Sequence, residues 1–72
     1  MSRGRVVDFD EDKGMGHVEA IDGRRLFFHC TSIADGSRTI PVDAQVAFRI
    51  VPGHVGELEA IEIERLPRPG GA

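Results

Sequence analysis

A small all-β domain, closed into a five-stranded barrel or sandwich, is the fold class the sequence predicts. Nine glycines and four prolines punctuate its 72 residues, and no stretch keeps the apolar period of a helix long enough to build one. Between those breaks, short runs alternate apolar and polar residues. Turn residues recur about every 8–12 positions, the pattern of strands joined by tight connections. A chain of this length has room for one core and no second domain. Residues 1–66 are expected to form that domain, with 67–72 a flexible tail that has nothing to bury.

The first strand is expected over Arg5–Phe9, with Val6 inward. Asp10-Glu11-Asp12-Lys13-Gly14 then turns the chain, because aspartate favours turns and glycine tolerates positive φ. The second strand is Met15–Ala20. Two-residue alternation puts Gly16 and Val18 on one face and Met15, His17 and Glu19 on the other. Asp22-Gly23 signals a hairpin turn. In the third strand, Leu26–Cys30, Leu26 and Phe28 share one face and Phe27 and His29 the other.

Thr31-Ser32-Ile33 reads as a capped single turn of helix, ended by Asp35-Gly36. A loop from Ser37 to Ala44 follows. The fourth strand, Gln45–Val51, alternates with Val46, Phe48 and Ile50 inward and Ala47 and Arg49 outward. Pro52–Gly56 is a flexible connection into the fifth strand, Glu57–Leu66, where the apolar parity changes at Ala60-Ile61 and predicts a bulge or bend. The expected core is Val6, Val18, Leu26, Phe28, Ile33, Ile40, Val46, Phe48 and Ile50, with one or two of Leu58, Ile61 and Ile63.

Composition narrows the function. Cys30 is the single cysteine, so no intrachain disulfide forms and a reducing, cytoplasmic setting is expected. The first residues lead into no apolar run, and no stretch is long enough to span a bilayer, so neither a signal peptide nor a membrane role is expected. A net charge of −3 argues against duplex phosphate as the main partner. Single strands stay open, because stacking on rings carries much of their binding.

His17, His29, Cys30 and Asp8 match no metal-ligand spacing, and strand neighbours His29 and Cys30 point to opposite faces. The same geometry argues against a thiol–imidazole nucleophile. No metal, no cofactor and no enzymatic activity are expected.

Three segments carry a family resemblance: Gly4-x-Val6-x-x-Phe9, Asp12-Lys13-Gly14-Met15-Gly16-His17-Val18 and Leu26-Phe27-Phe28-His29-Cys30-Thr31-Ser32-Ile33. Together they resemble the cold-shock domain, an all-β, five-stranded antiparallel barrel of the oligonucleotide-binding (OB) type. The resemblance runs from residue 4 to about residue 64, near gapless to Ile33 and looser beyond. It implies binding of single-stranded RNA or DNA on the face of the first three strands, with bases stacked on exposed rings. The matching residues are Phe9, Lys13, Phe27 and His29, with Gly14 and Gly16.

The departures cluster on that platform. Asp8 stands where the family has tryptophan, Met15 and His17 where it has phenylalanines, and Cys30 where a phenylalanine follows the motif histidine. Ser37-Arg38-Thr39 lacks the loop aromatic. Each base–aromatic stack contributes roughly 1–3 kcal/mol, so the loss of these rings implies weak, sequence-tolerant binding. The site expected from residues and resemblance is Phe9, Lys13, Met15, His17, Phe27 and His29, with Arg24 and Arg25 at the rim for phosphates.

In a hairpin centred on Glu11–Gly14, Asp8 falls opposite His17, where an Asp8–His17 contact would replace a ring pair and make binding pH-dependent. The expected role is that of an RNA chaperone or regulator, acting as a monomer with a dimer left open. The alternative is a barrel that lost its ligand platform and serves as a protein-interaction module.

Overall fold

The computed structural model describes residues 1–53 and 56–67. Five strands appear in chain order: β1 (Ser2–Asp10), β2 (Met15–Ala20), β3 (Arg25–His29), β4 (Gln45–Pro52) and β5 (Leu58–Arg65). They close into a barrel in the order β1-β2-β3-β5-β4. Four of the five seams are antiparallel, and β3–β5 is parallel, pairing Phe27 with Glu59. A ring with an odd number of strands cannot alternate direction all the way round, so the last seam of the barrel must run parallel. Ile33 and Ile63 extend that seam as a parallel bridge.

β1 begins earlier than the alternation predicts, at Ser2 instead of Arg5. The added residues hold no apolar alternation, and they are strand because Ser2–Arg5 pair with Phe48–Gln45 of β4. β3 ends at His29, one residue short of the expected end. Cys30 opens a single 3-10 turn, Cys30–Ser32, that no side chain caps. The helical turn is therefore present one residue early and without the expected cap. Its hydrogen bond is the backbone Ile33 N–H donating to the Cys30 carbonyl at 3.1 Å. Of the expected flexible link Pro52–Gly56, Pro52 instead closes β4 and 54–55 lie outside the described residues, as does all of the expected tail beyond Pro67.

The interior is filled by Val6, Val18, Ala20, Leu26, Phe28, Ile33, Ile40, Val46, Phe48, Ala60 and Ile63, all nearly or fully buried. Every unconditional member of the expected core is there except Ile50, which is partly buried against it. Ala47, expected outward, is buried too but stands outside the core cluster. Its methyl is flanked across the sheet by Arg3 and Glu64 and is too small to stay exposed.

The predicted break in β5 lies slightly later than Ala60-Ile61. Pairing with β4 slips between Ala47 and Arg49, and Glu62 takes a φ of 52°. That places Ala60 and Ile63, three apart, in the core together.

Candidate nucleic-acid interface

The outer face of β1–β3 is set by register. β2 pairs with β3 as Met15↔His29, His17↔Phe27 and Glu19↔Arg25, and with β1 as Asp8↔His17 and Asp10↔Met15. Strand alternation turns all of these outward, so five of the side chains form a short strip: Asp8, His17, Phe27, His29 and Met15. Phe27 is at its centre. His29, two residues along β3, is edge-to-face with it at 4.8 Å between ring centroids, and His17, its partner across the β2–β3 seam, at 6.0 Å.

Asp8 and His17 touch as the hairpin count predicts. His17 Nδ1 lies 3.0 Å from Asp8 Oδ1; a carboxylate only accepts, so the imidazole donates. Both side chains are about half exposed, at 45% and 58%. An exposed pair of this kind contributes little to stability, about 0–1 kcal/mol. What it does is orient: the carboxylate is held at a defined place beside the Phe27 ring.

Phe9 sits differently from the other expected site residues and is only partly exposed. Pairing between β1 and β2 slips between Val6 and Asp8, which makes Val7 the extra residue of a bulge. Beyond a bulge the inside–outside parity inverts. Phe9 therefore shares the inward face with Val6, packs against the core, and stacks on Phe28 with centroids 5.8 Å apart and planes 14° from parallel. Gly16 makes this possible. A Cβ there would sit 2.9 Å from Phe9 Cα and would collide with the Asp8 carbonyl oxygen. Phe9 is a packing residue under the interface, with one ring face already occupied.

The basic residues are dispersed. Lys13 is exposed at the tip of the β1–β2 turn, where the backbone N–H groups of Asp12 and Lys13 donate to the Asp10 carboxylate at 3.0 and 3.2 Å. Arg24 and Arg25 do reach the strip's edge, but each faces an acid: Arg24 Nε is 2.8 Å from Asp22 Oδ2, and Arg25 Nε is 3.8 Å from Glu19 Oε2. These are exposed pairs, weak enough that a phosphate can replace the carboxylate. Asp22 is held ionised below the ordinary aspartate range, chiefly by the Arg24 backbone N–H that donates to it.

Two shallow depressions flank Phe27. The larger, about 460 Å³, is lined by Asp8, His17, Arg24, Arg25, Glu57 and Leu58 besides Phe27. The smaller, about 300 Å³, runs over Met15 and His29 to Gly53 and Glu59. Both include Glu57 and Leu58, neither of which is among the residues expected at the site. Leu58 has the parity of Ala60, which makes it one of the residues expected in the core. It opens β5 opposite Pro52, however, and remains 37% exposed. Its only signal in sequence is its position next to Gly56-Glu57, at the very start of a strand.

Cys30 turns away from His29, packs against the core and lies under Gly14. No group of three or more metal-capable side chains comes together among the described residues. No described helix is long and apolar enough to cross a membrane.

This geometry can be set beside known proteins. The family model described as the 'Cold-shock' DNA-binding domain matches residues 2–66. The chain belongs to the cold-shock domain family. Among curated cold-shock proteins it is similar to cold shock protein CspB of Bacillus caldolyticus, 39% identical over 57 residues, covering 78% of this chain and 86% of that protein. It is also similar to the major cold shock protein of Streptococcus pyogenes, 31% identical over 67 residues, covering 92% of this chain and 98% of that one. Among solved structures, Drosophila Unr CSD456 superposes with a TM-score of 0.77 at 30% identity. That match covers 99% of this chain, which spans 28% of the longer Unr chain. The cold-shock barrel expected from the motifs is thus the fold of this chain.

Proposed function

We propose that this cold-shock domain binds single-stranded RNA or DNA across the outer face of β1–β3, weakly and with broad tolerance of sequence. The observation that carries the reading is Phe27, a ring next to two imidazoles and bordering two shallow depressions. Base–ring stacking of this kind is indifferent to base identity and contributes roughly 1–3 kcal/mol per base. His17, His29 and Met15 extend the platform, Leu58 adds apolar surface at its edge, and Arg24, Arg25 and Lys13 are placed for phosphates. With one phenylalanine in the strip and a net charge of −3, affinity rests on few contacts. On this reading the chain acts as a binding module in the cytoplasm, as a monomer, with residues 1–66 as its single unit and no catalytic step.

Titration with fluorescently labelled oligonucleotides at low salt tests this. Binding at micromolar concentration that weakens with salt, and is lost in Phe27→Ala, supports it; no binding at about hundred-micromolar concentration overturns it. The second reading, a protein-interaction module, draws on the exposed Leu58 flanked by Glu57 and Glu59 beside Phe27. Failure of every oligonucleotide in that titration would favour it.

A further inference from the structure

Resting on the single-strand reading, we propose that Asp8 reads the edge of the base stacked at Phe27 and selects guanine there over thymine or uracil. Tolerance of sequence along the strand and discrimination at one position are compatible, because they come from different groups.

The larger depression has an apolar floor, Phe27 and Leu58, and two carboxylates in its lining, Asp8 and Glu57. Asp8 is positioned relative to the stacking ring through His17, which donates to Oδ1 at 3.0 Å while packing edge-on against Phe27. Asp8 Oδ2 has no hydrogen-bond partner among the described residues. An ionised carboxylate accepts and never donates, so a base that meets it must present N–H groups.

Guanine presents N1–H and the 2-amino group side by side, the spacing that two carboxylate oxygens accept together. Cytosine and adenine present one amino group beside an unprotonated ring nitrogen, which faces the carboxylate lone pair to lone pair. Thymine and uracil flank their single N–H with two carbonyl oxygens, which the carboxylate repels. Paired contacts of this type discriminate between bases strongly, and Glu57 in the same lining adds to the bias. Arg24 and Arg25 in the same lining offer the backbone phosphate a cationic partner where it displaces their exposed partners Asp22 and Glu19.

The test uses the unaltered chain and Asp8→Asn with oligodeoxynucleotides of about eight residues, all thymine except for one central base. That base is thymine, guanine, or hypoxanthine, which lacks the 2-amino group. For the unaltered protein, guanine in place of thymine is expected to tighten binding about tenfold, equivalent to about 1.4 kcal/mol, and hypoxanthine to recover only part of that gain. In Asp8→Asn the guanine preference collapses while affinity for the all-thymine strand holds or rises; a merely structural Asp8 would shift all strands alike.

Equal binding of guanine and thymine strands, hypoxanthine equal to guanine, or an unchanged preference in Asp8→Asn overturns the inference and leaves single-strand binding standing. No binding of any strand overturns both. The hypoxanthine comparison needs no variant and is independent of folding effects.

Discussion

The two faces of β1–β3 are built from alternate residues of the same three strands, and they follow different rules. Inward, Val6, Val18, Leu26 and Phe28 are fully buried, with Phe9 stacked on Phe28 and Gly16 leaving the room for it. Outward, Asp8, His17, Phe27 and His29 are linked by single contacts, and they and Met15 remain accessible to solvent. All three platform departures on β1 and β2, Asp8, Met15 and His17, lie on the outer side. Packing constrains the inner face, because a changed volume there opens a cavity or forces a clash. The outer face is constrained mainly by what it binds. A cold-shock barrel can therefore be retained while its ligand surface is rewritten one alternate residue at a time.

Substitutions chosen from each face can break or sharpen that contrast. The largest effect belongs inside: Phe28→Ala removes a fully buried ring and its stack with Phe9, and should cost about 3–5 kcal/mol. For so small a domain that is a large share of total stability, and urea or thermal unfolding will read it. Next is Gly16→Ala, whose Cβ meets backbone of β1 that cannot easily move. A loss of about 1–3 kcal/mol is expected. A loss no greater than an ordinary surface substitution would show that the β1–β2 approach is looser than described.

Phe27→Ala tests the other face. Its effect should appear in oligonucleotide affinity, a drop of about five- to hundredfold from the loss of one stack. Unfolding should shift less than for Phe28→Ala. A shift as large as that of Phe28→Ala would erase the distinction between the faces.

The smallest effect is in pH. Asp22 has its carboxyl lowered chiefly by the Arg24 backbone N–H, and Asp35 by that of Ser37. A carboxyl depressed in the folded state stabilises above its unfolded value, and that contribution is lost as pH falls through the folded one. Stability should thus be insensitive to these groups at neutral pH and decline only below the ordinary aspartate range. The difference between the protein and Asp22→Asn should be slight and should shrink there.

Much of this was legible in order along the chain. Alternation identified β2, β4 and nearly all of the core, because both are local consequences of a two-residue repeat. Counting back from the Glu11–Gly14 turn placed Asp8 against His17 correctly. The resemblance names Phe9 for the binding face, while the bulge at Val7 turns it toward Phe28, and nothing in Arg5–Phe9 marks that bulge. Counting failed for Leu58, whose parity points inward but whose place at the start of β5 leaves it exposed. The partners of the arginines were also out of reach: Arg5 meets Asp43 at 2.7 Å, across a separation no local pattern spans.

By itself, then, the sequence determined the strands, the family and the identity of the outward strip, since each depends on residue type and short-range spacing. Only the tertiary structure decided that Phe9 turns inward and packs against the core while Phe27 stays on the outer face. Bulges, strand ends and the parallel β3–β5 seam arise from closing the barrel, and closure depends on pairings between residues far apart in the chain.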